Sequence, residues 1–262
     1  MSWIAAVDFR RGPADAGIGT RRRNYGKLEK LPNGLMMGAV ADGAGPANRS
    51  HVGAKVAVRA ALSALRADEA EATEALSGTL DDRAVRVFER VLREVEAAMR
   101  RAAFDEVVPI SELASSLTVF LAGPLGLAAM QVGAGVLVYR LRGGGYDLVF
   151  TRDGDPDQPS YVTQPGARGA MRVELQRGPI EFVCLASEGL QPVSIRHPDG
   201  SPSEPFFQPL DRYASAAHDD GDVHRGIREF LRSDRLSREV EDDLTLALCR
   251  YVGRQPVVAM AS

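Results

Sequence analysis

Cysteine, histidine and tryptophan are scarce in this chain, at two, four and one among 262 residues. Cys184 and Cys249 each sit inside an apolar run, at residues 182–186 and 246–249, and read as small buried core residues. With no close-spaced Cys/His set, zinc has no ligand pattern here. Long apolar runs are also missing. None approaches the roughly 18 residues of a membrane span, and the apolar start at residues 3–7 gives way at once to Asp8 and arginines, unlike a secretory signal. Neither sign of charge dominates: 32 Lys and Arg stand against 35 Asp and Glu, for a net charge of −3. That removes the electrostatic case for nucleic-acid binding. The run Arg21-Arg22-Arg23 is local and reads as a solvated turn or as an anion contact. These absences describe a soluble protein without membrane or nucleic-acid partners, and reduced cysteines suit a cytoplasmic location.

What is present is an ordinary globular composition, 45% hydrophobic and 26% charged. No composition break marks a second domain, so one domain is expected over residues 1–252, with a frayed tail at 253–262. Strands are expected at 3–8 and 35–41, with a hairpin or loop between them and a tight turn at Asn33-Gly34. An alanine-rich helix follows at 50–66, with Ser50 as its cap. A second helix at 81–103 presents Val85, Phe88, Val91, Leu92, Val95 and Met99 at helical spacing. The acidic stretch 68–82 reads as a surface connection. Residues 115–150 read as a four-stranded antiparallel meander with glycine turns, and 151–170 as an exposed loop. Strands at 180–186 and 244–251 flank a proline-rich loop at 192–210 and a helix at 223–231. Helices and strands are segregated along the chain, which points to an α+β layered sandwich and away from a doubly wound sheet.

Three apolar strands meet an acidic residue at one end: Val40-Ala41-Asp42-Gly43, Ala186-Ser187-Glu188-Gly189 and Asp242-Asp243-Leu244-Thr245. A carboxylate at the rim of a buried sheet is costly unless it is paired or metal-bound. Several such carboxylates converging would repel one another, and a divalent cation relieves that. Hard oxygen ligands select magnesium or manganese, ions that activate water and clamp a phosphoryl oxygen. The plainer alternative is that these acids only cap strand ends.

In order along the chain, these motifs resemble those of the type-2C (PPM-type) metal-dependent protein phosphatases. Val40-Ala41-Asp42-Gly43-Ala44-Gly45 is similar to the family's Val-Ala-Asp-Gly-x-Gly, and Ser115-Ser116-Leu117-Thr118 to its Gly-Thr-Thr-Leu. Gln131-Val132-Gly133-Ala134-Gly135 stands at its Val-Gly-Asp, Ser187-Glu188-Gly189-Leu190 at its Ser-Asp-Gly-Leu, and Asp242-Asp243-Leu244-Thr245-Leu246 at its Asp-Asn-Ile-Thr-Val. The Met-Ser-Trp start and Pro205-Phe206-Phe207 are similar to a short bacterial subgroup. The resemblance implies a four-layer α-β-β-α sandwich that hydrolyses phosphoserine or phosphothreonine with one or two Mn2+ or Mg2+ ions. It further implies Asp42 as the bridging and catalytic carboxylate, Gly43 as a carbonyl ligand, Glu188 and Asp242 as metal ligands, and Arg21 or Arg22 as the phosphate contact.

The chain departs from that pattern in three places. Glu188 replaces an aspartate, Ala134 replaces an acid, and no acid occurs between residues 16 and 28, where Lys27 falls near a missing one. A lysine ammonium could supply part of a lost cation's charge, though it cannot activate water. Two functions therefore stand open: a metal-dependent Ser/Thr phosphatase weakened by lost ligands, and an inactive pseudophosphatase that binds a phosphoprotein or a Ser/Thr kinase in signalling. A third, an N-terminal-nucleophile hydrolase using Ser2, would leave the ordered acidic motifs unexplained.

Overall fold

The computed structural model describes residues 3–12, 22–77, 81–151 and 160–253. Arg21, Ser2 and the tail beyond Gly253 lie outside the described residues, as does the 152–159 part of the expected loop. Among the described residues, ten strands form two five-stranded sheets. The first has the order β1 (Trp3–Arg10), β10 (Leu244–Tyr251), β9 (Ile180–Ala186), β6 (Val136–Leu141), β7 (Tyr146–Leu148). The second has the order β2 (Tyr25–Lys30), β3 (Met36–Ala41), β4 (Leu117–Gly123), β5 (Gly126–Val132), β8 (Arg172–Arg177). Every strand pairing is antiparallel.

The period-2 rule of a strand explains the layering. On β3, Met36 and Val40 face an inner core shared with Phe120, Leu137, Val183 and Cys249 from both sheets. Met37, Ala39 and Ala41 face outward onto helices. Those helices are α1 (Ser50–Ala67), α2 (Glu69–Ser77) and α3 (Asp81–Asp105), which cover the second sheet. After the short α4 (Gln191–Ser194), helices α5 (Glu204–Ala216), α6 (Asp220–Leu231) and α7 (Asp234–Glu239) cover the first. The result is the expected α-β-β-α sandwich.

Several local expectations are corrected. The acidic stretch after α1 contains a helix, because Ala72, Ala75 and Leu76 give it a buried face. Its Glu71 takes a 2.7 Å bond from Arg90 of α3. On α3 the buried stripe runs through Ala84, Val87, Phe88 and Val91, leaving Val85 39% exposed. Ser50 is the first residue of α1, whose cap position, Arg49, makes no side-chain capping bond. The strands of 115–150 are not one meander. β4 and β5 belong to one sheet and β6 and β7 to the other, with the crossing made at Gly133-Ala134-Gly135, where the two glycines take φ of +83° and +152°. Strand β8 lies where no strand was expected; only Val173 and Leu175 give it an apolar face, between the polar Arg172, Glu174 and Gln176. The proline-rich loop gives way to α5 at Glu204, since Pro205 falls in the first turn, where no backbone donor is missed.

Helix α5 is tied to its sheet by ions. Asp211, with only 8% of its side chain exposed, accepts from Arg140 Nε and Arg250 Nη1, both at 2.7 Å, and from the Tyr146 hydroxyl at 3.0 Å. Glu181 completes the cluster at 3.1 Å from Arg140. Removing one member of such a cluster strands the others. Asp211→Ala is expected to lower unfolding free energy in urea by about 3 kcal/mol; a loss below about 1 kcal/mol would show that α5 is anchored by its phenylalanines alone.

Candidate functional site

Strand β3 ends at the seam between the two sheets and leaves Asp42 there. Its position is fixed from both sheets. The Asp42 N–H donates to Ser116 Oγ at 3.2 Å and its carbonyl accepts from the Ser116 N–H at 2.8 Å. Its Oδ2 accepts from the Glu188 N–H at 2.9 Å. Gly43 then passes beneath α1, its N–H donating to the Arg23 carbonyl at 3.2 Å. A Cβ on Gly43 would lie 2.7 Å from Ser50 Cβ and 2.8 Å from the Arg23 carbonyl oxygen, so the close approach requires glycine.

Glu188 leaves the end of β9, and Asp242 precedes β10. These neighbouring strands are locked at the exit: Ser187 N–H donates to the Thr245 carbonyl at 3.1 Å and Thr245 N–H to Ser187 Oγ at 2.9 Å. Asp42, Gly43, Glu188 and Asp242 all line a single cleft of about 180 Å3. Separate stretches of sequence, expected to converge, do converge. Ala134 lines the same cleft, so a methyl group stands where the family resemblance places an acid.

The arginines are distributed differently. Arg22 stacks its guanidinium 4.0 Å from the centre of the Phe9 ring and donates from Nε to the Asn24 carbonyl, and it is not among the cleft's residues. Arg23 lines the cleft and places Nη2 at 3.6 Å from Asp242 Oδ1. Lys27 does not serve as a stand-in cation there: it sits on β2 with its ammonium 2.6 Å from Glu29, the strand's own acid two residues on. Tyr161 lines the cleft as well, its hydroxyl pKa raised by burial and by the charge of Glu188.

Asp243 escaped the sequence reading. It is 1% exposed, and its carboxylate accepts from the Gly12 N–H at 2.9 Å and the Arg23 N–H at 2.7 Å. One side chain thus holds both flanks of the segment between β1 and β2 and delivers Arg23 to the cleft. The available signal was the second acid of Asp242-Asp243, directly before a largely apolar strand, where the family pattern has asparagine. A carboxylate offers both oxygens as acceptors, whereas an amide offers one.

The electrostatics follow from this crowding. The Asp42 carboxyl is pushed up from 3.8 to about 7, mainly by burial; the Glu188 N–H bond opposes the shift, and the charges of Asp242, Glu188 and Asp243 add to it. Among the described residues that line the cleft, the charged oxygen donors are all carboxylates and there is no histidine or cysteine. Donor type and charge therefore fit an oxygen-ligated divalent cation. Among the described residues, however, no three Asp, Glu, His or Cys side chains are gathered tightly enough to enclose one.

Comparison with known proteins agrees with this architecture. The sequence model of the family described as Protein phosphatase 2C matches residues 11–232. Serine/threonine-protein phosphatase 3 of Escherichia coli K12 is 26% identical over 217 residues, covering 81% of this chain and 82% of that protein. The phosphatase Stp1 of Staphylococcus aureus superposes with a TM-score of 0.63 at 11% identity, over 95% of each chain. The catalytic domain of the Ser/Thr phosphatase PstP, solved with two manganese ions, superposes at 0.61 with 18% identity, over 96% of this chain and 99% of that domain.

Two outcomes are expected. Unfolded Asp42 loses its proton near pH 4, while the folded protein keeps it until about 7, so ionising Asp42 removes stability as pH rises across that interval. In chelator, Asp42→Asn should therefore be more stable than the parent chain by roughly 2 kcal/mol at pH 8, after allowing for the open side of the cleft, with the advantage fading towards pH 4. A pH-independent difference in urea unfolding would contradict it. Asp243→Ala leaves two backbone donors without their acceptor and should cost about 2–4 kcal/mol in the same measurement; a neutral effect would remove Asp243 from its clamping role.

Proposed function

The chain belongs to the protein phosphatase 2C family, and on that premise we propose that it hydrolyses phosphoserine and phosphothreonine in protein substrates with one bound Mn2+ or Mg2+. The observation that carries this reading is the shared cleft of Asp42, Glu188 and Asp242, where burial, with the neighbouring acids' charges adding to it, raises the Asp42 carboxyl and favours a cation. The PstP domain holds two manganese ions; here Ala134 removes one acid, which supports a single, weaker site. Asp42, Glu188 and Asp242, with the Gly43 carbonyl, are the groups that would hold the ion, and when bound it supplies an acidified water and positive charge for the phosphoryl group.

The protein's own groups have distinct tasks. Arg23 is the cation among the cleft's described residues and meets the phosphate dianion there. Asp42, held by Ser116 and the Glu188 N–H, is oriented towards the cleft without freedom to swing. Water adds to phosphorus, the bond from phosphorus to the serine or threonine oxygen breaks, and the leaving oxygen takes a proton. A cognate Ser/Thr kinase would supply the phosphorylated substrate.

A second reading, a phosphoprotein- or kinase-binding module without turnover, is favoured by the Ala134 methyl and by the spread of the acids. A phosphothreonine peptide assay with manganese decides between them. Hydrolysis that chelator abolishes and Asp42→Ala reduces at least a hundredfold, on the scale of a lost transition-state contact, supports the enzyme. Absence of turnover by the parent chain with either metal, alongside retained phosphopeptide binding, would establish the module.

A further inference from the structure

Arg23 is held more firmly than an arginine at a cleft mouth needs to be. Its N–H donates to the buried Asp243 at 2.7 Å, and its carbonyl accepts from Gly43 at 3.2 Å. Its main chain is therefore fixed to the same two stretches that carry Asp242 and Asp42. Its side chain runs along Gly45, where an added Cβ would lie 3.2 Å from Nη1, and reaches Asp242 Oδ1 at 3.6 Å. The guanidinium lies against one of the acids that the metal reading assigns to the cation.

Resting on that reading, we propose that Arg23 is a built-in competitor for the divalent ion: its guanidinium occupies Asp242, and the ion binds by displacing it. The pair is suited to exchange. With 32% of the arginine and 55% of the aspartate side chain exposed, and with Asp242 Oδ1 also accepting from the Asp243 N–H at 2.7 Å, the 3.6 Å contact is weak enough to be broken. The cost to the ion is larger than the pair itself. A single positive charge that stays within about 5 Å of a divalent ion weakens its binding about tenfold even at the dielectric of water. Ala134 removes one negative charge from the cleft and Arg23 offsets another. The two features act in the same direction, towards low metal affinity in the free protein.

Calorimetric titration with manganese chloride tests this without reference to turnover. Arg23→Ala and Arg23→Gln should bind manganese about tenfold more tightly than the parent chain, while Arg23→Lys, which keeps the charge, should stay within about twofold of it. The backbone bonds to Asp243 and Gly43 survive each substitution, and melting in chelator verifies folding; Arg23→Gln, close in size to arginine, decides if Arg23→Ala loosens the cleft. Unchanged or weaker binding in both neutral variants overturns the proposal, as does no manganese binding by any of the four proteins. Tighter binding in the neutral variants, with no hydrolysis by the parent chain, would sustain the competitor and remove the hydrolytic reading. Hydrolysis by the parent chain with affinities that do not move would do the reverse.

Discussion

Four carboxylates crowd the place where two sheets meet, and the local structure around the cleft answers that repulsion. Asp243 is held by two backbone donors, Asp242 by the Asp243 N–H at 2.7 Å with a guanidinium nearby, and Asp42 by one N–H and a raised proton affinity. Glu188 remains exposed to solvent. Backbone donors serve three of the acids, and what else each one meets decides which of them are available to a ligand. Asp243 is consumed by architecture. Asp42 and Glu188 face the cleft, and Asp242 is shared between an internal cation and whatever enters from outside.

Much of this was legible in the sequence, for physical reasons. The layered α+β class followed from helices and strands being segregated, and the converging acids from three apolar strands meeting charge at one end. Strand β10 and helix α1 were readable because their apolar periods are unbroken. What escaped was decided by tertiary context. Strand β8 carries charge at alternate positions and pairs only because β5 offers it an edge. Helix α5 was masked by prolines whose cost depends on where in the turn they fall. The split of residues 115–150 between two sheets depends on two glycine dihedrals that composition does not encode.

The site was less legible than the fold. Types and spacing pointed to Asp42, Glu188 and Asp242, yet they could not say which arginine of a run of three would enter the cleft. That choice is made by Asp243, which grips the Arg23 main chain and so sets the register of the following strand, with Arg22 falling on Phe9. A single buried carboxylate, read beforehand as one half of a motif, thereby selects the cleft's positive charge.

The cleft is also a composite of layers. Asp42 and Ser116 flank strands β3 and β4 of one sheet, while Glu188 and Asp242 flank strands β9 and β10 of the other. Neither half owns the site, which comes into being only once the two have docked. Any ligand taken there spans the seam and acts as a staple, binding the docked state and not the separated one. Occupancy of the cleft would then be felt far from it, as slower parting of the sheets and stronger protection of amides in the shared core.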